Sequence, residues 1–188
     1  MMGDHSTTDQ TQVAIRDGRT VLLRRLGRRD AQAALALHQQ LPDTDRYLRF
    51  FSPGRGHLDR LARQLTERSD SCYALGAFDA GRLIGVAHYV IDEDDPRLAE
   101  VAIAVAGDDH HVGVGTALLR RLAEIATAHG VSRFTADVLA TNHLMLQVIA
   151  DIDWPRTNVS DDASVLRFQI TLPRRATPTA RRPRSAEG

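Results

Sequence analysis

Residues 98–119, LAEVAIAVAGDDHHVGVGTALL, constrain the fold of this 188-residue chain more than any other stretch. The segment opens as an apolar strand carrying one carboxylate, Glu100, and passes through an acidic, histidine-bearing turn. It then enters a helix through Gly113-Val114-Gly115. A helix start presents N–H groups without intrahelical partners and a partial positive charge, which favours an anion such as phosphate. Glycines there let the anion approach the main chain without meeting a Cβ. Along the strand, alternate side chains share a face: Leu98, Glu100, Ala102 and Ala104 point one way, and Ala99, Val101, Ile103 and Val105 the other. The second set is bulkier and belongs in a core. The first leaves room beside the carboxylate for a ligand or a covering helix. Apolar surroundings disfavour a charged carboxylate and raise its pKa towards a value useful to a general base. A solvated glutamate on a half-exposed strand, and a tight helix entry holding no ligand, are the competing readings.

The remaining chain alternates between periods. Residues 20–26 read as a strand, and residues 28–41 as a helix, with Ala31, Ala34, Leu35, Leu37, His38 and Leu41 at helical spacing. Asp43-Thr44-Asp45 supply caps for a short helix over 46–51, and Leu58, Leu61, Ala62 and Leu65 mark another. Strands follow at 72–78, 83–91 and 97–105, the first two joined by the hairpin turn Asp79-Ala80-Gly81. A helix over 113–129 stops at Gly130. A strand at 133–138, a helix at 142–152 and strands at 154–157 and 164–170 complete the pattern. Such an order is mixed α/β without repeated βαβ units, so a mostly antiparallel sheet is expected. Residues 1–18 read as a flexible tail, with 13–15 as an optional short strand. Residues 173–188 place prolines among arginines and read as a disordered basic tail, leaving 19–172 as one domain.

Composition excludes several classes. The 24 basic residues balance 24 acidic ones, so no net field draws in nucleic acid or a membrane surface. All the basic residues are arginine, which leaves the N-terminus as the only primary amine. One cysteine, Cys72, excludes an intrachain disulfide and a cysteine-rich metal site. That usage and the lack of a signal sequence lead us to expect a cytoplasmic protein. No apolar run approaches the roughly 20 residues of a membrane span. A dinucleotide fingerprint would need a third glycine at Leu118, and a Walker loop would need a lysine after the glycines. Adjacent His110 and His111 make no metal site by themselves.

Taken together, AEVAIAVAGDDHHVGVGTALL and VLATNHLMLQVIADIDW resemble the GNAT superfamily of acyl-CoA-dependent N-acyltransferases over residues 20–170. The family's Gln/Arg-x-x-Gly-x-Gly/Ala turn falls on His110 to Gly115. The resemblance implies an α/β fold with a mixed, mostly antiparallel central sheet flanked by helices on both faces. It also implies acetyl-CoA as co-substrate, with its pyrophosphate held around His110, His111, Val112, Gly113, Val114, Gly115 and Thr116. The backbone of Ile103, Ala104 and Val105 would pair with the pantetheine arm like an added strand. Asn142, which begins the next family helix, and Leu146 would lie near the cofactor.

A narrower resemblance is to the catalytic domain of bacterial Pat-type protein-lysine acetyltransferases. It rests on Arg46-Tyr47-Leu48-Arg49-Phe50-Phe51-Ser52-Pro53 ahead of the sheet and on the Ala99-Glu100 pair. It implies Glu100 as the base in direct acetyl transfer to a primary amine, a protein lysine among the candidate acceptors. Arg46 and Tyr47 are candidates to line the acceptor cleft; Phe50 and Phe51 read as packing. A homodimer is compatible with the sequence.

Three positions depart from the family pattern. His110 replaces Gln or Arg and charges only near pH ~6.5. Ile149 stands where many relatives carry a tyrosine acid. Asp153-Trp154 replaces Gly-Phe, and aspartate tolerates the left-handed backbone such a turn needs. Two other functions stay open: an acyl-CoA-binding sensor, favoured by His110 and Ile149, and a small-molecule amine acetyltransferase fed by the acidic loop Asp92-Glu93-Asp94-Asp95. His88 and Cys72 read as buried core residues.

Overall fold

A computed structural model describes residues 10–41, 55–107, 113–160 and 163–173. Two hairpins and a return form the first five strands: β1 (Gln10–Ala14), β2 (Thr20–Arg25), β3 (Cys72–Asp79), β4 (Arg82–Ile91) and β5 (Leu98–Val105). Helices α1 (Ala31–Gln40) and α2 (Arg55–Thr66) lie between β2 and β3 in the chain. After β5 come α3 (Val114–Ala128), β6 (Arg133–Leu139), α4 (His143–Asp151), β7 (Arg156–Asn158) and β8 (Val165–Thr171). The strands make one sheet in the order β1-β2-β3-β4-β5-β6-β8-β7. Every neighbouring pair is antiparallel except β5 with β6. The β3–β4 hairpin closes as expected, with φ of +46° at Ala80 and +85° at Gly81.

Each face of the sheet is covered. Leu37 of α1 and Leu61 and Leu65 of α2 pack on Ala74, Phe78, Leu83 and Val86. On the other face, Leu118, Leu119 and Leu122 of α3 pack on Leu75, Ala87, Tyr89 and Val101. Strands β3 and β4 are buried on both sides, which is why they read as near-continuous apolar runs instead of alternating.

Some boundaries move, each for a local reason. Gln10–Ala14 lie in the stretch expected to be a tail, yet they pair with β2 from Gln10↔Arg24 to Ala14↔Thr20. This is an edge strand with little apolar patterning, anchored where Ile15 enters the core. The helix expected from residue 28 starts at Ala31, after a single 3-10 turn at Arg28–Asp30. Asp30 forms that turn by accepting from the Gly27 N–H at 2.9 Å and from Arg24 through two bonds of 2.8 Å. The strand expected at 154–157 is Arg156–Asn158, and Trp154 packs against the core ahead of it. Gly130, with φ of +91°, and Asp153, with φ of +52°, take the left-handed backbone their types suggested. The helix expected at 46–51 lies outside the described residues. Among the described residues no helix is long and apolar enough to cross a membrane.

Two histidines are buried where α1 packs on the sheet. His38 donates its Nδ1 proton to the Ala34 carbonyl at 2.8 Å, and His88 on β4 is 6 % exposed. Burial, with a smaller push from His38, holds the His88 pKa down at about 4; burial also lowers that of His38. Between pH 6.5 and 4 the unfolded chain therefore takes up protons that the native state refuses. Stability is intact above about pH 6.5 and falls as pH drops towards 4, by up to roughly 3 kcal/mol for His88. Urea midpoints at pH 7.5 and 5 should show this slope in the wild type and a much flatter one in His88→Leu. Equal slopes in both proteins would mean that His88 is charged in the native state.

Candidate active site

The sheet opens in its middle. The parallel ladder between β5 and β6 pairs Leu98↔Arg133, Ala99↔Phe134 and Glu100↔Thr135, and ends there. Beyond it β5 continues to Val105, paired among the described strands with β4, from Ala99↔Ile91 to Val105↔Gly85. The direction of its main-chain groups follows from parity. The Leu98 carbonyl accepts from the Asp92 N–H, and the Ala106 N–H donates to the Ile84 carbonyl, so even-numbered positions face β4. The Arg97 carbonyl accepts from the Arg133 N–H on the opposite side, so odd-numbered positions face β6. Ile103, past the end of that ladder, therefore turns its N–H and C=O towards the opening.

Helix α4 forms the other wall. Asn142 caps it, its side-chain oxygen accepting from the Met145 N–H at 2.9 Å. Ile103, Ala104, Val105, Gly115, Asn142, Leu144, Met145, Val148 and Leu41 line one largely apolar cleft. At Gly115 the walls meet: a Cβ there would stand 3.2 Å from Val148 Cγ2 and 3.7 Å from Val105 Cγ2. The second glycine of the motif thus serves close approach of α3, α4 and β5.

The first glycine serves the backbone. Gly113 is the N-cap of α3 with φ of +89°, a left-handed conformation that favours glycine. Beside it lies a residue that sequence reasoning missed. The Nε of Arg16, from the β1–β2 turn, is 3.8 Å from where a Gly113 Cβ would be. No local pattern connects positions 16 and 113; only strand pairing does.

Glu100 is half-buried at the mouth of the opening. It sits opposite Val90 on β4 and Thr135 on β6. Directly opposed residues share a face, and Val86, opposite Ala104, packs in the α1–α2 cluster. Glu100 accordingly points to the α1 side. Tyr73 and Tyr89 occupy the other face and are 4 % and 1 % exposed. The Tyr89 hydroxyl is 2.7 Å from His129 Nδ1, and burial pushes its pKa up to about 12. Neither tyrosine can act beside Glu100. Cys72 is buried, and that burial pushes its thiol pKa up, so no reactive thiolate stands there.

The candidates named from the sequence fall into three groups. Ile103, Ala104, Val105, Gly115 and Asn142 come together in the cleft, with Glu100 at the end of the ladder beside it. Gly113 and Thr116 belong to the helix entry, Val114 is wholly buried beneath it, and Leu146 is half-buried on α4 outside the cleft lining. His110, His111, Val112, Arg46 and Tyr47 lie outside the described residues.

Known proteins share this architecture. The GNAT domain of S. lividans PAT matches with a TM-score of 0.78 and 27 % identity, over 90 % of this chain and 100 % of that one. A ribosomal-protein-alanine N-acetyltransferase from Brucella melitensis shares the fold at a TM-score of 0.65 and 22 % identity, over 80 % of this chain and 99 % of that one. A cAMP-binding acyltransferase from Mycobacterium smegmatis shares it at 0.61 and 22 %, over 87 % of this chain and 47 % of that longer one. The family described as acetyltransferase (GNAT) matches residues 34–149, from α1 through α4. The chain belongs to that family, whose members transfer acyl groups to amines.

Proposed function

We propose that the protein transfers an acetyl group from acetyl-CoA directly to a primary amine, with Glu100 as general base. The observation that carries this reading is the opening in the sheet. One strand offers Ile103 main-chain groups to an extended thioester arm, and the carboxylate of Glu100 stands at the end of the same opening. The glycine helix entry on α3 suits the diphosphate at the far end of that arm. Gly115, where a Cβ would crowd Val148, keeps the cleft walls in contact behind it.

The chemistry balances with these groups. Glu100 takes a proton from the acceptor ammonium, freeing the lone pair on nitrogen. The amine attacks the thioester carbonyl, whose oxygen a β5 amide polarises. One C–N bond forms, the C–S bond breaks, and the proton remaining on nitrogen passes to the thiolate directly or through water. No tyrosine acid is required, consistent with a buried Ile149 at the position where relatives carry one. Holding both reactants in one opening removes the need for a covalent enzyme intermediate.

A protein lysine is the acceptor class we favour, on the likeness to the GNAT domain of S. lividans PAT and the Pat-like segments of the sequence. A polyamine reading would draw on the acidic loop after β4, but two of its four carboxylates are engaged within the fold. Asp92 accepts from the Asp94 and Asp95 N–H groups. Asp95 pairs with Arg133 at 2.6 Å.

Two substitutions test the reading. Glu100→Gln should keep acetyl-CoA affinity and lose turnover about a hundredfold or more on a lysine peptide; unchanged thiol release would remove Glu100 from the mechanism. Gly113→Asn and Gly113→Asp carry similar bulk, and both types tolerate the left-handed backbone. The aspartate should weaken acetyl-CoA binding about tenfold more, because it sets a negative charge against phosphate. Equal affinities in calorimetry would contradict a phosphate at that glycine.

A further inference from the structure

The β1–β2 turn is built to hold one arginine over the helix entry. Ile15 is buried in the core, its N–H donates to the Arg19 carbonyl at 2.9 Å, and the Gly18 N–H donates to the Ile15 carbonyl at 3.0 Å. Arg19 fixes the turn from its far side, pairing with Asp17 at 2.7 Å and with Asp79, at the end of β3, at 2.5 Å. Arg16 projects from this frame across Gly113, its Cγ 3.5 Å and its Nε 3.8 Å from the position of a Cβ. Its Nη2 reaches Asp151 at the end of α4, at 2.6 Å, while the side chain stays 62 % exposed. Gln147 donates to the other Asp151 oxygen at 2.7 Å.

We propose that Arg16 is a substrate-binding residue that grips a phosphate of the acyl-CoA donor against the Gly113 end of α3. The inference rests on the acyl-CoA reading above and names a residue outside the family match, which begins at residue 34. Two features make a cation useful there. The sequence ahead of Gly113 includes Asp108 and Asp109, whose charge opposes a diphosphate, and His110 stands where the family pattern has Gln or Arg. A guanidinium stays charged at any working pH and can give two N–H bonds to one phosphate. Arg16 meets Asp151 through Nη2, and its Cγ, Cδ and Nε pass beside Gly113. An exposed ion pair is weak and shares its guanidinium readily with a more highly charged anion.

The experiment compares two acyl donors, acetyl-CoA and S-acetylpantetheine, which has the thioester arm but no phosphate. Arg16→Gln should raise the acetyl-CoA Kd and KM about tenfold and leave the KM for S-acetylpantetheine unchanged. Arg16→Lys, which keeps the charge, should recover most of the loss. Acetyl-CoA binding by Arg16→Gln should also depend less steeply on salt than that of the wild type. Unchanged acetyl-CoA affinity in Arg16→Gln overturns the proposal. So does an equal loss for both donors, which would show that the turn merely supports the fold. A wild-type protein with no affinity for any acyl-CoA would instead overturn the reading on which the proposal stands.

Discussion

Three residue pairs of parallel ladder hold β5 to β6, and the proposed chemistry depends on the ladder stopping at Glu100↔Thr135. Strand pairing is the default wherever main-chain groups are shielded from water, since a buried N–H or C=O without a partner is costly. Parting two central strands therefore needs something to hold them apart. Here α4 and the start of α3 do so, meeting β5 where Gly115 touches Val148 and Val105. The outcome is an edge of sheet in the interior of a fold. Such an edge suits an extended ligand arm, which supplies the missing strand.

Strand parity then puts the proposed base and the main-chain groups proposed to bind the donor on one element. Past the ladder, Ile103 turns its main chain into the opening, while Glu100, an even position, projects its side chain onto the α1 face. The opposite face is buried and aromatic, with Tyr73 stacked on Tyr89 and Tyr89 against Phe134. A group that must exchange protons with an incoming ammonium cannot work from there. The two faces thus differ: α3 packs on the aromatic core and α1 borders the proposed site. The cost of polar groups under α1 is visible in His38 and His88, both kept from protonating by burial.

What the sequence disclosed follows from how locally each feature is encoded. Gly113, Gly130 and Asp153 occupy left-handed backbone, a requirement written into residue type. Strands β3 to β5 carry enough apolar side chains to declare themselves. The alternation around Glu100 encodes the two faces of β5. By contrast β1, QTQVA, is half-exposed on an edge, so its composition does not distinguish it from a polar tail. Its place comes from five pairings with β2. The cleft was legible only in part. Ile103 to Val105, Gly115 and Asn142 sit in a familiar motif, whereas Leu41 and Arg16 reach the site through α1 and the first hairpin. Contacts of that kind are set by topology, and no window of sequence contains them.

The absence of lysine connects the composition to the chemistry. Arginine does structural work here that an ammonium would do less well: Arg24 gives two bonds to Asp30 while lying 3.8 Å over the Phe78 ring, and Arg167 gives two to Asp137. Planar forks of this type match a carboxylate in geometry as well as charge. Guanidinium groups also stay protonated and offer no nucleophilic lone pair. On the proposed reading, with lysine as the acceptor, a chain that carries no lysine of its own presents no internal side-chain amine to compete at Glu100.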